Sequence, residues 1–346
     1  MIARSPLGAA IIGLGVGEQH AQTYVDSPKA TLKLLYDLDY KKAKKLAKKL
    51  GAAFADEQKI FNDKGVQIIS IASFDDAHFS QVTSGIRNGK NLFVEKPLCR
   101  TISELKEIKK LWLQNNKPAI ESNLILRAAP LYKWLYKAIS NGELGEIYAF
   151  DGDYLYGRLE KITSGWRNQI KDYSVMLGGG IHLVDLMLMM LEDRPVSVST
   201  TGTNIATARS NFKYHDFQAA NFIFPSGRIG RITANFGCAH HHQHVVRIFG
   251  TKATFIYDDQ GARILKLRDH DFKMRGFDAN PPSAAQMISQ SPLPKHKGEL
   301  IPQFLDDILL NKNFEKRAQQ NFDLISIIAA SDNSLQAGTS VNINYV

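Results

Sequence analysis

The sequence predicts an α/β protein of two domains. Residues 1–123 read as a doubly wound parallel sheet, and residues 124–346 as an α+β domain with a large, mostly antiparallel open sheet. Three observations carry this expectation. Short apolar runs alternate with amphipathic segments as far as about residue 122, the pattern of buried parallel strands joined by crossover helices. A glycine-rich turn separates the first strand from the first helix. Beyond residue 146, strand-like runs follow one another through tight turns such as Pro225-Ser226-Gly227, as in antiparallel sheet.

The first strand, residues 9–12, runs into Gly13-Leu14-Gly15-Val16-Gly17 and then a helix through Ala21, Tyr24 and Val25. Glycines there allow a tight turn and close backbone approach to a pyrophosphate, and the helix amino terminus supplies N–H groups to it. The third glycine, Gly17, comes one residue before its usual slot, which Glu18 occupies. The turn is therefore expected to be shortened but kept. A second strand, residues 32–36, ends in Asp37, close to the ~20 residues expected between such a turn and a ribose-binding acid. A carboxylate there accepts bonds from ribose hydroxyls and repels a 2′-phosphate, which favours NAD and leaves NADP as second choice. The lesser, competing reading of Asp37 is the cap of the helix at residues 40–50. That helix carries Ala43, Leu46, Ala47 and Leu50 on one face, so its six lysines occupy the solvated side. No aromatic or groove-reading motif accompanies them, and nucleic-acid binding is not expected.

Residues 66–72 form the next strand, and Ser73-Phe74-Asp75-Asp76 opens a helix carrying His78. The strand Asn91-Leu92-Phe93-Val94 then runs into Glu95-Lys96-Pro97. Pro97 lacks an N–H and holds Lys96 extended, so the strand presents Lys96 at its carboxyl edge, where open α/β sheets bind ligands. Taken alone, this tripeptide reads as readily as a surface lysine after any strand. A helix (103–114) and a strand (118–122) complete the first domain.

In the second half, a helix (131–140) precedes strand-like runs at 146–156, 196–203, 219–224, 228–238, 245–249, 253–257 and 262–267. Prolines mark residues 278–297 as a surface loop, and helices at 298–310 and 321–337 lead to a last strand at 340–345. Gly178-Gly179-Gly180-Ile181-His182-Leu183-Val184-Asp185 enters a helix with His182 and Asp185 on one face. Histidine suits removal of a hydroxyl proton near neutral pH, and the competing reading is a packed histidine at a helix start. Trp166-Arg167 offers an aromatic wall and a forked cation, and Tyr154, Tyr156 and Arg158 add donors. Cys238-Ala239-His240-His241-His242-Gln243-His244, read as a strand, would point alternate side chains in parallel rather than toward one ion. No metal is expected from it; a polar sheet face or a cleft wall is.

The formal net charge of +9, from 43 Lys+Arg against 34 Asp+Glu, suits anionic small molecules such as dinucleotides. Two cysteines, Cys99 and Cys238, imply no disulfide framework, and no apolar run approaches the ~20 residues of a membrane span. A soluble, cytoplasmic protein is expected, without membrane or nucleic-acid partners.

Together these motifs resemble the Gfo/Idh/MocA oxidoreductases, which include glucose–fructose oxidoreductase and inositol dehydrogenase. The resemblance runs from Gly13-Leu14-Gly15 with His20, through Ser73, His78 and Glu95-Lys96-Pro97, to Gly142-Glu143-Leu144-Gly145-Glu146-Ile147. It continues through Trp166-Arg167, Gly180-Ile181-His182-Leu183-Val184-Asp185 and Gly250-Thr251-Lys252-Ala253-Thr254-Phe255. It implies an NAD(P)-binding Rossmann domain, held to its cofactor by Gly13, Gly15, Val16, Gly17, Asp37, Ser73, His78, Glu95 and Lys96. It implies a dehydrogenase acting on a sugar, polyol or sugar derivative, with Lys96 beside the nicotinamide and His182 as acid/base. Asn123, Tyr154, Trp166, Arg167 and Asp185 would surround the substrate, and the Lys96–Pro97 bond would be cis. The large sheet would join copies into a homodimer or homotetramer. One departure stands out: the family's usual Asp or Asn four residues before the histidine is here Gly178. Asp172 and Asp185 are the candidates to replace it. This departure and the displaced third glycine, Gly17, motivate a rival reading, a dinucleotide-binding sensor or regulatory protein without catalysis.

Overall fold

The computed structural model describes residues 5–266 and 285–346. In chain order the elements are β1 (Leu7–Ile12), α1 (Gly17–Asp26), β2 (Ala30–Tyr36), α2 (Tyr40–Leu50), β3 (Ala53–Phe54), α3 (Glu57–Asn62), β4 (Ile68–Ile71), α4 (His78–Arg87), β5 (Asn91–Val94), α5 (Ile102–Gln114) and β6 (Ile120–Ser122). The second half contains α6 (Pro130–Ser140), β7 (Ile147–Leu155), α7 (Glu160–Thr163), α8 (Ile181–Leu191), β8 (Ser197–Thr203), β9 (Phe217–Ile223), β10 (Ile229–Asn235), β11 (Gln243–Gly250), β12 (Thr254–Asp258), β13 (Gly261–Leu265) and β14 (Ala285–Ile288). It closes with α9 (Ile301–Leu310), α10 (Phe314–Ala337) and β15 (Val341–Asn342). No helix among the described residues is long and apolar enough to cross a membrane.

The chain divides into two compact units. The first gathers Met1–Ile125, Pro294–Ser326 and Tyr345–Val346 around a six-stranded sheet of order β3-β2-β1-β4-β5-β6. Every pair in it is parallel. The order in which strands are added reverses between β1 and β4, which makes the crevice at their carboxyl ends the topological switch point. All four residues of β4 are buried, which is why it reads as an apolar run broken only by Ser70. Helix α2 has the expected bounds. Its amino terminus is capped by Asp39, which accepts from the Lys42 N–H at 3.0 Å, and left-handed Gly51 ends it. The cap is thus Asp39 and not Asp37. From the far end of the chain, α9 inserts Ile301, Phe304 and Leu305 into the same core as Ala9, Ile11, Tyr24 and Phe93.

The second unit, Leu126–Leu293 with Ile327–Asn344, is built on a nine-stranded sheet among the described residues, of order β14-β13-β12-β11-β7-β10-β9-β8-β15. Its pairs are antiparallel except β7 with β10, which are parallel. Helix α8 packs on β7 and β10, and Gly230 makes room for it: a Cβ there would lie 2.2 Å from Met187 Sδ.

Several local expectations change. Residues 236–242 are a loop and not a strand, because β10 ends where Asn235 Oδ1 turns back to accept from the Gly237 N–H (3.1 Å). The glycine run before His182 is π-helical, over Met176–Gly180, and continues directly into α8. The proline-marked stretch contains β14, while residues 278–284, and residue 267 of the expected seventh strand, lie outside the described residues. Helix α10 starts at Phe314, before the expected residue 321.

Within α10, Asp332 accepts from Ser174 Oγ at 2.8 Å, and burial raises its carboxyl to about 6 from 3.8. A group whose pKa is raised by folding stabilises the protein fully below its unfolded pKa and loses that contribution as pH rises through its folded pKa. Stability should therefore fall between about pH 4 and pH 6 by about 1–2 kcal/mol, water that still reaches the group weakening the effect. Urea unfolding across that range checks this, and Asp332→Asn should flatten the fall.

Candidate active site

At the switch point, three glycines divide the work of the turn. Gly13 has φ +89°, and a Cβ there would lie 2.5 Å from the Ala72 carbonyl carbon and oxygen. Gly17 packs α1 against the sheet, where a Cβ would meet Ile11 Cγ2 at 2.9 Å and Ala72 Cβ at 3.1 Å. Gly15 is exposed and has nothing within 4 Å of its Cβ position. The early glycine thus performs the helix-packing role, and the turn is one residue shorter but complete. Val16 precedes α1 without a side-chain cap; the Gln19 N–H is taken by the Val16 carbonyl (2.9 Å), which leaves those of Gly17 and Glu18 for a ligand, and Glu18 is exposed. Asp37 braces the turn: its Oδ2 accepts from the Leu14 N–H (2.6 Å) and its Oδ1 from the Asp39 N–H (2.8 Å). Open backbone at Gly15, uncapped N–H groups and a carboxylate at the end of β2 fit a dinucleotide. Gly13→Ala forces a side chain into a left-handed position already filled by backbone. It should cost more than about 1 kcal/mol and weaken NAD binding, as unfolding with and without NAD would show.

The carboxyl ends of β4, β5 and β6 carry a buried polar chain. His20, on the inner face of α1, places Nδ1 3.1 Å from Ser70 Oγ and Nε2 3.2 Å from Glu95 Oε1. Asn123 Nδ2 donates to Glu95 Oε1 (2.6 Å) and to the Lys297 carbonyl (2.8 Å). Burial opposes the Glu95 charge, but hydrogen bonds from His20 and Asn123 and the Lys96 charge outweigh it, so the carboxyl lies below its usual range. Asn123 Oδ1 stays buried with no hydrogen-bond partner among the described residues, an acceptor available to a ligand.

The Lys96–Pro97 bond is cis. Buried His78 donates Nδ1–H to the Pro97 carbonyl (2.6 Å), with Nε2 3.3 Å from the Ser73 carbonyl, and Ser73 Oγ donates to Gln81 Oε1 (2.6 Å). Ser73 and His78 therefore shape the turn that holds Lys96, which is itself half-buried. Gly13, Ser73, Glu95, Lys96 and Asn123 all follow the ends of neighbouring parallel strands. Sequence reasoning noted His20 only as part of a motif; its place on the buried face of α1 was the signal that it had an inner partner.

In the second unit, His182 stands in the first turn of α8, and its ring lies perpendicular to that of His244 at 5.9 Å. Tyr154 is 5.3 Å from His244, 5.2 Å from His242 and 5.8 Å from Tyr156. Burial, with smaller effects from Tyr156 and Tyr173, raises the Tyr154 hydroxyl well above its usual value despite the charges of Arg167 and Arg158, so it remains a donor. His242 and His244 are members of this cluster that the sequence left as sheet or cleft wall.

Gly178 proves crowded, since a Cβ there would lie 2.1 Å from the hydroxyl oxygen of buried Tyr173. A phenol occupies the space where a side chain four residues before His182 would start. Neither expected substitute does so. Asp172 is exposed, and buried Asp185 accepts from Arg127 Nε at 2.8 and 3.1 Å. Arg167 stacks its guanidinium 4.3 Å over the Trp166 ring, in the short 3-10 helix Trp166–Gln169.

Comparison with known proteins agrees with this architecture. A family model described as an oxidoreductase family with an NAD-binding Rossmann fold matches residues 7–121, and the GFO/IDH/MocA C-terminal domain matches residues 132–256. Inositol 2-dehydrogenase of Rubrobacter xylanophilus is 25% identical over 252 residues, 72% of this chain and 70% of that protein. The scyllo-inositol 2-dehydrogenase (NAD(+)) of Bacillus subtilis is 27% identical over 254 residues, 71% of this chain and 72% of its own. Scyllo-inositol dehydrogenase from Lactobacillus casei, solved with NAD(H) and scyllo-inositol, superposes with a TM-score of 0.75 at 16% identity over 98% of this chain and 99% of that one. With both halves matched by the family's two domains, the chain belongs to the Gfo/Idh/MocA oxidoreductases, whose amino-terminal domain is an NAD-binding Rossmann fold.

Proposed function

We propose that this protein is an NAD-dependent dehydrogenase that oxidises a CH–OH group of a sugar, polyol or sugar derivative, with Lys96 and His182 at the reacting centre and NADP as second choice of cofactor. The observation that carries the reading is the ionised Glu95, anchored by His20 and Asn123, next to Lys96 at the end of β5. A fixed anion beside the ammonium stabilises both charges, and a fixed cation at a strand end can stabilise a developing alkoxide. The related inositol dehydrogenases supply the substrate class.

In this proposal the cofactor rests on Gly13, Gly15, Val16 and Gly17, with Asp37 at the ribose. Bound nicotinamide would supply hydride acceptance. His182 takes the substrate hydroxyl proton on an imidazole nitrogen, and Lys96 offsets the negative charge that builds on that oxygen. Tyr154 donates a hydrogen bond that orients the substrate, and the Tyr173 hydroxyl takes over the place left by Gly178. That substitution weighs against a purely sensory protein. Trp166, Arg167 and Asn123 complete the surroundings, and Asp185 acts through Arg127. A cytoplasmic homo-oligomer formed through the nine-stranded sheet belongs to the same proposal, supported by exposed Tyr148, Ile223 and Ile229 on its strands.

The test is NADH release over a panel of inositols, neutral sugars, uronates and nucleotide-sugars. Turnover on at least one polyol or sugar, faster with NAD than with NADP, is expected. Silence across the panel by protein that still binds NAD would overturn the dehydrogenase reading.

A further inference from the structure

The histidine-rich run between β10 and β11 is divided by the fold. His242 and His244 turn toward Tyr154, whereas His240 and His241 stack on each other at the surface, ring centroids 4.3 Å apart. They meet Asp259, which sits between β12 and β13. His240 Nε2 lies 3.2 Å from Asp259 Oδ2, and His241 Nε2 lies 3.7 Å from Oδ1. One ligand atom from each residue falls within 4.8 Å of the others. Donors held about 2.0–2.2 Å from a tetrahedral ion are themselves about 3.3 Å apart, so the nitrogen–oxygen distances of 3.2 and 3.7 Å suit neighbouring ligands of one ion, on which the two stacked, exposed rings converge by a side-chain rotation.

The tautomer points the same way. His240 Nδ1 is 2.8 Å from the His241 carbonyl oxygen. A carbonyl only accepts, so Nδ1 carries hydrogen, and in the neutral ring Nε2 is then the lone-pair nitrogen. A backbone carbonyl on the far ring nitrogen is the usual outer contact that orients a metal-bound histidine. A lone pair facing a carboxylate oxygen at 3.2 Å repels it unless a cation, a proton or a metal ion, comes between. The loop is also fixed independently of any ion: a Cβ on Gly157 would lie 1.7 Å from the His240 carbonyl oxygen, so only glycine lets the loop settle there. Solvent reaches all three side chains, which are 26%, 70% and 62% exposed.

We propose that His240, His241 and Asp259 form a surface site for one divalent transition-metal ion, bound through both Nε2 atoms and the carboxylate, with water completing the shell. Two imidazoles and one carboxylate select the zinc–nickel–copper class over calcium or magnesium. The expectation of no metal rested on a strand with parallel side chains; the loop removes that premise. None of the three residues takes part in the proposed hydride transfer.

The test is calorimetric titration of the full chain, prepared without a polyhistidine tag and stripped by chelator, with zinc and then nickel. A single equivalent per chain is expected, weakened at least about tenfold by His241→Ala and by Asp259→Asn, with dehydrogenase turnover unchanged in both. Asp259→Asn keeps size and shape, so a loss there reports ligation and not folding. No uptake of either ion, or uptake that both variants leave intact, would overturn the site. So would binding abolished only by Cys238→Ser or His242→Ala.

Discussion

Replacing His182 by alanine should lower kcat by about 10²–10⁴-fold while leaving the dissociation constant for NAD nearly unchanged, the usual worth of a positioned general base. The expectation separates two roles for this residue. A histidine that merely packs at the start of α8 would show its loss in stability, because its neighbours His244 and Tyr154 form one ring cluster with it. A histidine that accepts the hydroxyl proton shows its loss in turnover. Steady-state kinetics on the substrate found by the panel, together with NAD titration by fluorescence, distinguishes them. A variant that unfolds more easily yet turns over at the parental rate would return His182 to a structural role.

Asp185→Ala should destabilise the protein by about 3–5 kcal/mol, the cost of stranding one charge of a buried pair. The carboxylate is 1% exposed, and it accepts from both Nε and Nη2 of Arg127, whose side chain is 16% exposed. Removing the anion leaves a guanidinium with little water to replace it. The converse follows from the same physics: Arg127→Met combined with Asp185→Leu should recover much of the loss, since the pair is exchanged for apolar contact. Urea unfolding of the two variants and the parent measures both. Equal destabilisation by the single and double replacements would mean that the pair is worth far more than its charges alone.

What could be read from the sequence was local. The glycine turn, Asp37, the strand that delivers Lys96 and the helix that begins near His182 each depend on residues within one element or two adjacent ones. Periodicity and spacing report such elements directly. What could not be read depended on contacts between distant positions. Nothing near residue 301 announces that α9 shares a core with Ala9 and Phe93. Nor does the sequence near Asp185 name Arg127, 58 positions away, as its partner. Gly178 looked like the loss of a functional group for a local reason: Tyr173, only five positions earlier, fills its space across the start of a π-helix, which α-helical spacing does not foresee. The histidine run was misread for a different reason: a turn at Asn235 and Gly237 ends the strand early, so alternation no longer decides which rings face together.

The central claim, that Lys96 serves the chemistry and not cofactor binding, is tested most directly by single-turnover NADH formation in Lys96→Ala, measured beside its NAD affinity. NAD should bind within about threefold of the parent, because the glycine turn and Asp37 are untouched. Hydride transfer should fall by about 10²–10³-fold, the scale on which losing one preorganised electrostatic contact is felt. NADH forming within about tenfold of the parental rate would contradict the role assigned to Lys96.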